Sequence, residues 1–148
     1  VYGPKSSHKT SVVAKWIALA LQGQPIEIYG DGSATRDFIF TGDLVDAIRK
    51  AATASAEKVS GEVFQIATSH ETTISELAEA LCAQLQAEGL PVPEVIFTKE
   101  RLGDIKRNYS DTSKAASQLD WSSATDLTMG IRRVLQARIS ASNHTIES

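Results

Sequence analysis

Short apolar runs alternate with longer amphipathic stretches along this 148-residue chain, and that alternation restricts the fold more than any other feature. The runs IEIYG (26–30), RDFIF (36–40), EVFQIA (62–67) and EVIFT (94–98) are rich in β-branched and aromatic residues and read as strands. Between them lie stripes at helical spacing. Val12, Val13, Trp16, Ile17 and Ala20 form the first, and Leu44, Ile48, Ala51 and Ala52 the second. Ile74, Leu77, Ala78, Leu81, Cys82 and Leu85 form the third, and Leu127, Ile131, Val134 and Leu135 the last. Strands that take turns with helices predict an α/β fold. The strands are few and short for so many helices, which suits a part of something larger.

Local chemistry marks the ends of these elements. Thr10 or Ser11 is placed to cap the first helix, with Gly23 and Pro25 ending it. The Gly30-Asp31-Gly32 sequence predicts a hairpin-like turn between two strands. Asp43 is placed to cap the second helix. Thr73 and Glu76 have the spacing of a capping box, in which each side chain bonds the other's backbone N–H. Gly89 closes that helix, Asp111 caps a short one ending near Leu119, and Thr125 or Asp126 opens the last. One domain is expected over 1–138, with 139–148 a polar, disordered tail.

Totals narrow the function. With 42% hydrophobic residues the chain can bury a core, and a net charge of −3 carries no overall basic footprint for nucleic acid. A lone cysteine, Cys82, cannot form an internal disulfide, which suggests a reducing, cytoplasmic setting; on an apolar stripe it reads as a structural thiol. No apolar run approaches a membrane span of about 20 residues. His8, His70 and His144 are too scattered for metal-ligand spacing, so no metal site is expected. No G-x-S-x-G turn is present for a serine nucleophile. The chain opens VYGPKSSHKT without methionine, which reads as the interior of a longer chain.

Two arginine-bearing loops remain as candidates for chemistry. One carries Arg36, just after the glycine turn; the other is ERLGDIKRNYSD (100–111), with Arg101, Asp104, Lys106 and Arg107. A guanidinium is a planar fork of N–H donors that matches phosphate oxygens in pairs. Two forks from separate loops would grip a diphosphate, while a carboxylate such as Asp104 accepts from a ribose hydroxyl pair. The bland alternative pairs Arg36 with Asp37 or Asp43, and Arg101 with Glu100 or Asp104. The residues by themselves leave both open.

Five blocks in order, VYGP, IYGDGSATRDFIFTGDLVDAI, GEVFQIATSHETTISELAEAL, RLGDIKRNYSDTSKAASQLDW and LTMGIRR, resemble the C-terminal half of NAD-dependent nucleotide-sugar epimerases and dehydratases. These are extended short-chain dehydrogenase/reductases, UDP-glucose 4-epimerase-like. The resemblance implies the substrate-binding part of an extended Rossmann-type fold, without its N-terminal dinucleotide-binding βαβ units. It implies diphosphate contacts by Arg36, diphosphate and ribose contacts by Arg101 and Asp104, and a substrate contact by Asn108. Val1 and Tyr2 would border the cofactor pocket, and Asp37 and Asp43 would be structural.

Some of the family's pattern is missing. There is no G-x-x-G-x-x-G turn for NAD, and none of Tyr2, Tyr29 and Tyr109 has the lysine four positions on that a Y-x-x-x-K pair requires. The asparagine usual before VYGP is absent, the loop KSSHKTS is short, and ATSHETT lacks the glycines common there. Sequence thus predicts a nucleotide-sugar, UDP-sugar, binding part with no catalytic residue of its own. NAD is expected in the longer parent and not bound tightly by this chain. The alternative is a free-standing, non-catalytic module that binds a nucleotide sugar or another anion, or acts by association. The strand 62–67 would lack its neighbour, so self-association, as a homodimer, through that edge is expected.

Overall fold

The computed structural model describes residues 1–4 and 11–146, with side chains described up to 141. In chain order the elements are α1 (Val12–Leu21), β1 (Ile26–Tyr29), β2 (Thr35–Arg36), α2 (Thr41–Thr53), α3 (Ala56–Val59) and β3 (Thr72–Thr73). They continue with α4 (Ile74–Ala87), β4 (Val95–Thr98), α5 (Ser113–Leu119) and α6 (Leu127–Ile146). The class is α/β. No helix among the described residues is long and apolar enough to cross a membrane.

β1 and β4 run parallel, in the register Ile26↔Val95 to Tyr29↔Thr98. Side chains alternate across a strand. Ile26 and Ile28 therefore enter the core, while Glu27 and Tyr29 face outward. Under this pair lie Trp16 and Ile17 of α1, Leu77, Leu81 and Leu85 of α4, and Ile131 and Leu135 of α6. Burying a large apolar side chain contributes about 1.5–3 kcal/mol, so this cluster is the main stabiliser. α4 starts on the expected capping box: Thr73 Oγ1 accepts from Glu76 N–H at 3.0 Å, and Glu76 Oε2 accepts from Thr73 N–H at 2.7 Å. Gly89, at φ 68°, ends it. Cys82 is half-buried on this helix, and burial pushes its thiol pKa up, away from reactive thiolate.

Several expectations change. Gly30 and Gly32 both have positive φ, but no hairpin follows. The turn passes the chain from the β1–β4 pair to a separate two-stranded sheet, β2 antiparallel to β3. In 36–40, strand structure stops after Arg36, and Phe40 makes a single parallel bridge to Tyr2. The run 62–67 is no strand either: among the described residues no ladder partner lies beside it, although Phe64 and Ile66 pack on a second core. That core, Ile39, Ala47, Ala115, Leu119 and Trp121, joins α2 to α5.

Asp43 does not cap α2. It sits inside the first turn, buried, where its carboxylate accepts from Thr125 Oγ1 at 3.0 Å and from the N–H groups of Thr125 and Ala124 at 2.9 and 3.2 Å. It is structural because it ties α2 to the approach to α6. Ile48, expected inward, is 61% exposed; the inward face of α2 is set instead by Ala47, with Leu44 and Ala51 beside it. Ser11 stands at the head of α1 without a side-chain bond to it, and Thr10 and His8 lie outside the described residues. Asp126 caps α6, accepting from Met129 N–H at 2.7 Å, and the helix runs on through Ile146.

Candidate functional site

Arg101, Leu102, Gly103 and Asp104 form a tight turn, closed by Asp104 N–H donating to the Arg101 carbonyl at 3.2 Å. Gly103 has φ 84°, the left-handed conformation that glycine adopts without steric cost. The turn places Arg101 and Asp104 at its two ends, side by side. Beyond it the chain lies along β2: Thr35 N–H donates to the Lys106 carbonyl at 2.9 Å, and Asn108 N–H to the Thr35 carbonyl at 3.2 Å.

That docking has a side-chain clamp. Glu71 accepts from Arg107 through both oxygens, at 2.7 and 2.5 Å, and from Thr35 Oγ1 at 2.9 Å. The Arg107 guanidinium holds the Glu71 carboxyl below its ordinary pKa of 4.5. Loop 67–73 is thus a hub. Ser69, at φ 58°, also accepts from Thr112 N–H and donates to the Ser110 carbonyl.

The docked loop brings Asp104 to Arg36. Arg36 Nη1 donates to the carbonyls of Ile105 and Thr35, at 2.5 and 2.8 Å, and Nη2 donates to Asp104 Oδ1 at 3.1 Å. Neither Asp37 nor Asp43 is the partner that the bland reading named. Asp37 instead accepts from Thr68, through its N–H at 2.8 Å and its hydroxyl at 2.6 Å. Arg101 pairs with neither Glu100 nor Asp104 in the described contacts; its guanidinium carbon lies 3.6 Å from the centre of the Tyr29 ring.

Between the two arginines a cleft of about 530 Å³ opens. Arg36, Arg101 and Asp104 line it, with Lys15 and Trp16 from α1 and Glu27 and Tyr29 from the outward face of β1. Sequence reasoning missed these four. The alternation of IEIY was the available signal, since it puts Glu27 and Tyr29 opposite the core. Tyr29 donates its hydroxyl to Glu27 Oε2 at 2.8 Å. The arrangement offers three cations and two carboxylates around partly apolar walls, which suits an anion bearing a flat or hydroxylated group.

Asn108, bonded through its N–H to the Thr35 carbonyl, does not line this cleft. Tyr2, expected beside a cofactor, is 2% exposed; its ring meets Phe40 edge-on, and a Cβ at Gly130 would overlap its hydroxyl. Burial raises its phenol pKa far above the ordinary value of 10.0. Val1 is exposed. Nor does the glycine turn fit a dinucleotide: a Cβ at Gly32 would overlap the Ser75 hydroxyl, and Ser75 N–H donates to the Gly32 carbonyl, so the turn is packed on α4. A larger groove, about 670 Å³ between Thr68–Thr72 and the start of α6, has His70 and Glu76 among its walls but no lysine or arginine. Among the described residues no three His, Cys, Asp or Glu side chains gather as a metal site would require.

Comparison with known proteins bears on this site. Residues 1–67 match the family described as the NAD dependent epimerase/dehydratase family. A UDP-glucose 4-epimerase of Mycolicibacterium smegmatis is 33% identical over 138 residues, 92% of this chain and 42% of that protein. A dTDP-glucose 4,6-dehydratase of Xanthomonas campestris pv. campestris is 32% identical over 125 residues, 80% of this chain and 35% of that protein. The crystal structure of UDP-glucose 4-epimerase from Thermotoga maritima, with UDP-glucose, matches 95% of this chain and 43% of its own at a TM-score of 0.82 and 27% identity. The chain spans less than half the length of these relatives. Over residues 1–67 it matches the NAD-dependent epimerase/dehydratase family, over nearly its whole length it is similar to UDP-glucose 4-epimerases, and it corresponds to only a part of its relatives' length.

Proposed function

We propose that this chain is the UDP-sugar-binding, C-terminal part of an NAD-dependent epimerase or dehydratase. The observation that supports this reading is the meeting of Arg36 and Arg101, from segments far apart in sequence, on one cleft. Their N–H donors meet the diphosphate of the nucleotide sugar. The two carbonyls on Arg36 Nη1 fix the plane of its guanidinium, and Nη2 exchanges Asp104 for a phosphate oxygen. Asp104, released, accepts from the ribose hydroxyls. In a protein of the relatives' length NAD supplies the hydride acceptor; no residue of this chain is assigned to hold it or to move a proton.

Titration calorimetry with UDP, UDP-glucose and dTDP-glucose tests this. The wild type binds, and Arg36→Ala and Arg101→Ala each weaken binding at least about tenfold, as loss of a charge-assisted hydrogen bond requires. Wild-type binding that neither substitution changes would overturn the assignment. Incubated with UDP-glucose and NAD, the chain forms no UDP-galactose; product above background would show that the chemistry resides here as well.

A further inference from the structure

The stack of Arg101 on Tyr29 has no part in the contacts assigned so far. β4 ends at Thr98, the register partner of Tyr29, so the chain leaving β4 starts directly beside that ring. Gly30, at φ 78°, has no side chain to obstruct this path, and Glu100 packs where one would stand, 3.7 Å from that point. Arg101 then doubles back, its guanidinium carbon 3.6 Å above the ring centre. That separation is face-to-face contact. It uses the flat face of the guanidinium and leaves the in-plane N–H donors for an anion. The ring is itself held, since Tyr29 donates to Glu27 Oε2 at 2.8 Å and both residues project from the outward face of β1.

We propose that Tyr29 is the positioning residue for Arg101. It parks the guanidinium at the cleft wall, with Glu27 fixing the ring. An arginine side chain that is already ordered loses less conformational freedom when the anion arrives. This inference rests on the diphosphate reading above, and its test keeps the two apart.

Tyr29→Phe retains the aromatic face, and Tyr29→Leu removes it. In the ligand-free chain, NMR detects the stack as an upfield ring-current shift of the Arg101 side-chain protons, kept in Tyr29→Phe and lost in Tyr29→Leu. Calorimetry with UDP, and with inorganic diphosphate, gives the consequence. Tyr29→Leu weakens both about three- to fivefold, the equivalent of one exposed cation–π contact, while Tyr29→Phe stays within about twofold. In an Arg101→Ala background Tyr29→Leu has no further effect. A wild type without the ring-current shift, or a Tyr29→Leu loss that persists in the Arg101→Ala background, overturns the positioning role alone. A wild type that shows the shift but binds neither UDP nor diphosphate overturns the diphosphate reading and this inference with it.

Discussion

Two extended stretches of this chain meet opposite fates. Residues 106–108 lie against β2, bonded through the backbone to Thr35 on both sides and clamped by the Arg107–Glu71 ion pair. Residues 63–67 alternate, with Val63 and Gln65 exposed, Phe64 and Ile66 half-buried and Ala67 buried. Yet none of their N–H or C=O groups enters a backbone hydrogen bond among the described residues. Phe64 and Ile66 give 63–67 a face that packs on the second core, whereas Lys106, Arg107 and Asn108 are all exposed. Only 106–108 has a neighbouring edge to complete its backbone bonds. The difference shows that an apolar alternation makes a strand candidate, whereas a ladder needs a second strand in reach.

The largest effect is expected where the comparison is sharpest. We expect the 63–67 edge to pair with a second copy. It carries no charge, and antiparallel pairing centred on Gln65 sets Phe64 against Ile66. Light scattering should then show a mass that rises with concentration, and Gln65→Pro, which removes the central N–H donor, should leave a monomer at every concentration. A wild type that is monomeric throughout would refute the pairing.

Arg36→Ala is next, because Arg36 joins the docked loop to the cleft. The charge-assisted bond from Nη2 to the phosphate is lost, about 1.5–3 kcal/mol, so UDP affinity should fall roughly 10- to 150-fold by calorimetry. Gly103→Ala acts on the turn alone. At φ 84° with no atom within 4 Å of the new Cβ, its cost is backbone strain, about 1 kcal/mol. UDP binding should weaken about fivefold while the melting temperature barely moves.

The smallest effect is on pH. Glu71 has a folded pKa held below 4.5, chiefly by the hydrogen bond from Arg107. Its contribution is therefore present above the unfolded value, 4.5, and is lost as pH falls through the depressed folded value. Glu71→Gln should lower the melting temperature at neutral pH but not at a pH well below 4.5. An equal loss at both would show that the clamp does not depend on the charge.

Much of the local structure could be read directly. The capping box of Thr73 and Glu76, the αL glycines at 23 and 89, and the buried faces of α1, α4 and α6 all involve residues within a turn or two of one another. Asp43 misled because a short acidic residue at a helix start has the same sequence signature whether it caps its own helix or, as here, reaches Thr125 across 82 positions. Ile48 misled because the helical stripe has two readings when Ala47 can take the inward place. Arg36 and Arg101 stood out as loop arginines and took a role only from the resemblance, whereas Tyr29 and Glu27 stayed hidden although the alternation of IEIY had already placed them on the outward face.

What the sequence determined unaided is the strands β1 and β4, the capping box of α4 and the faces that α1, α4 and α6 turn to the core, because these depend on propensities and periodicities within a few residues. Only the tertiary structure decided that Asp104, not Asp37 or Asp43, holds Arg36, and that Tyr29 holds Arg101. Those partners lie 68 and 72 positions apart, and what joins them is the parallel register of β1 on β4, which sets where the chain must emerge and so which side chains the next turn can reach.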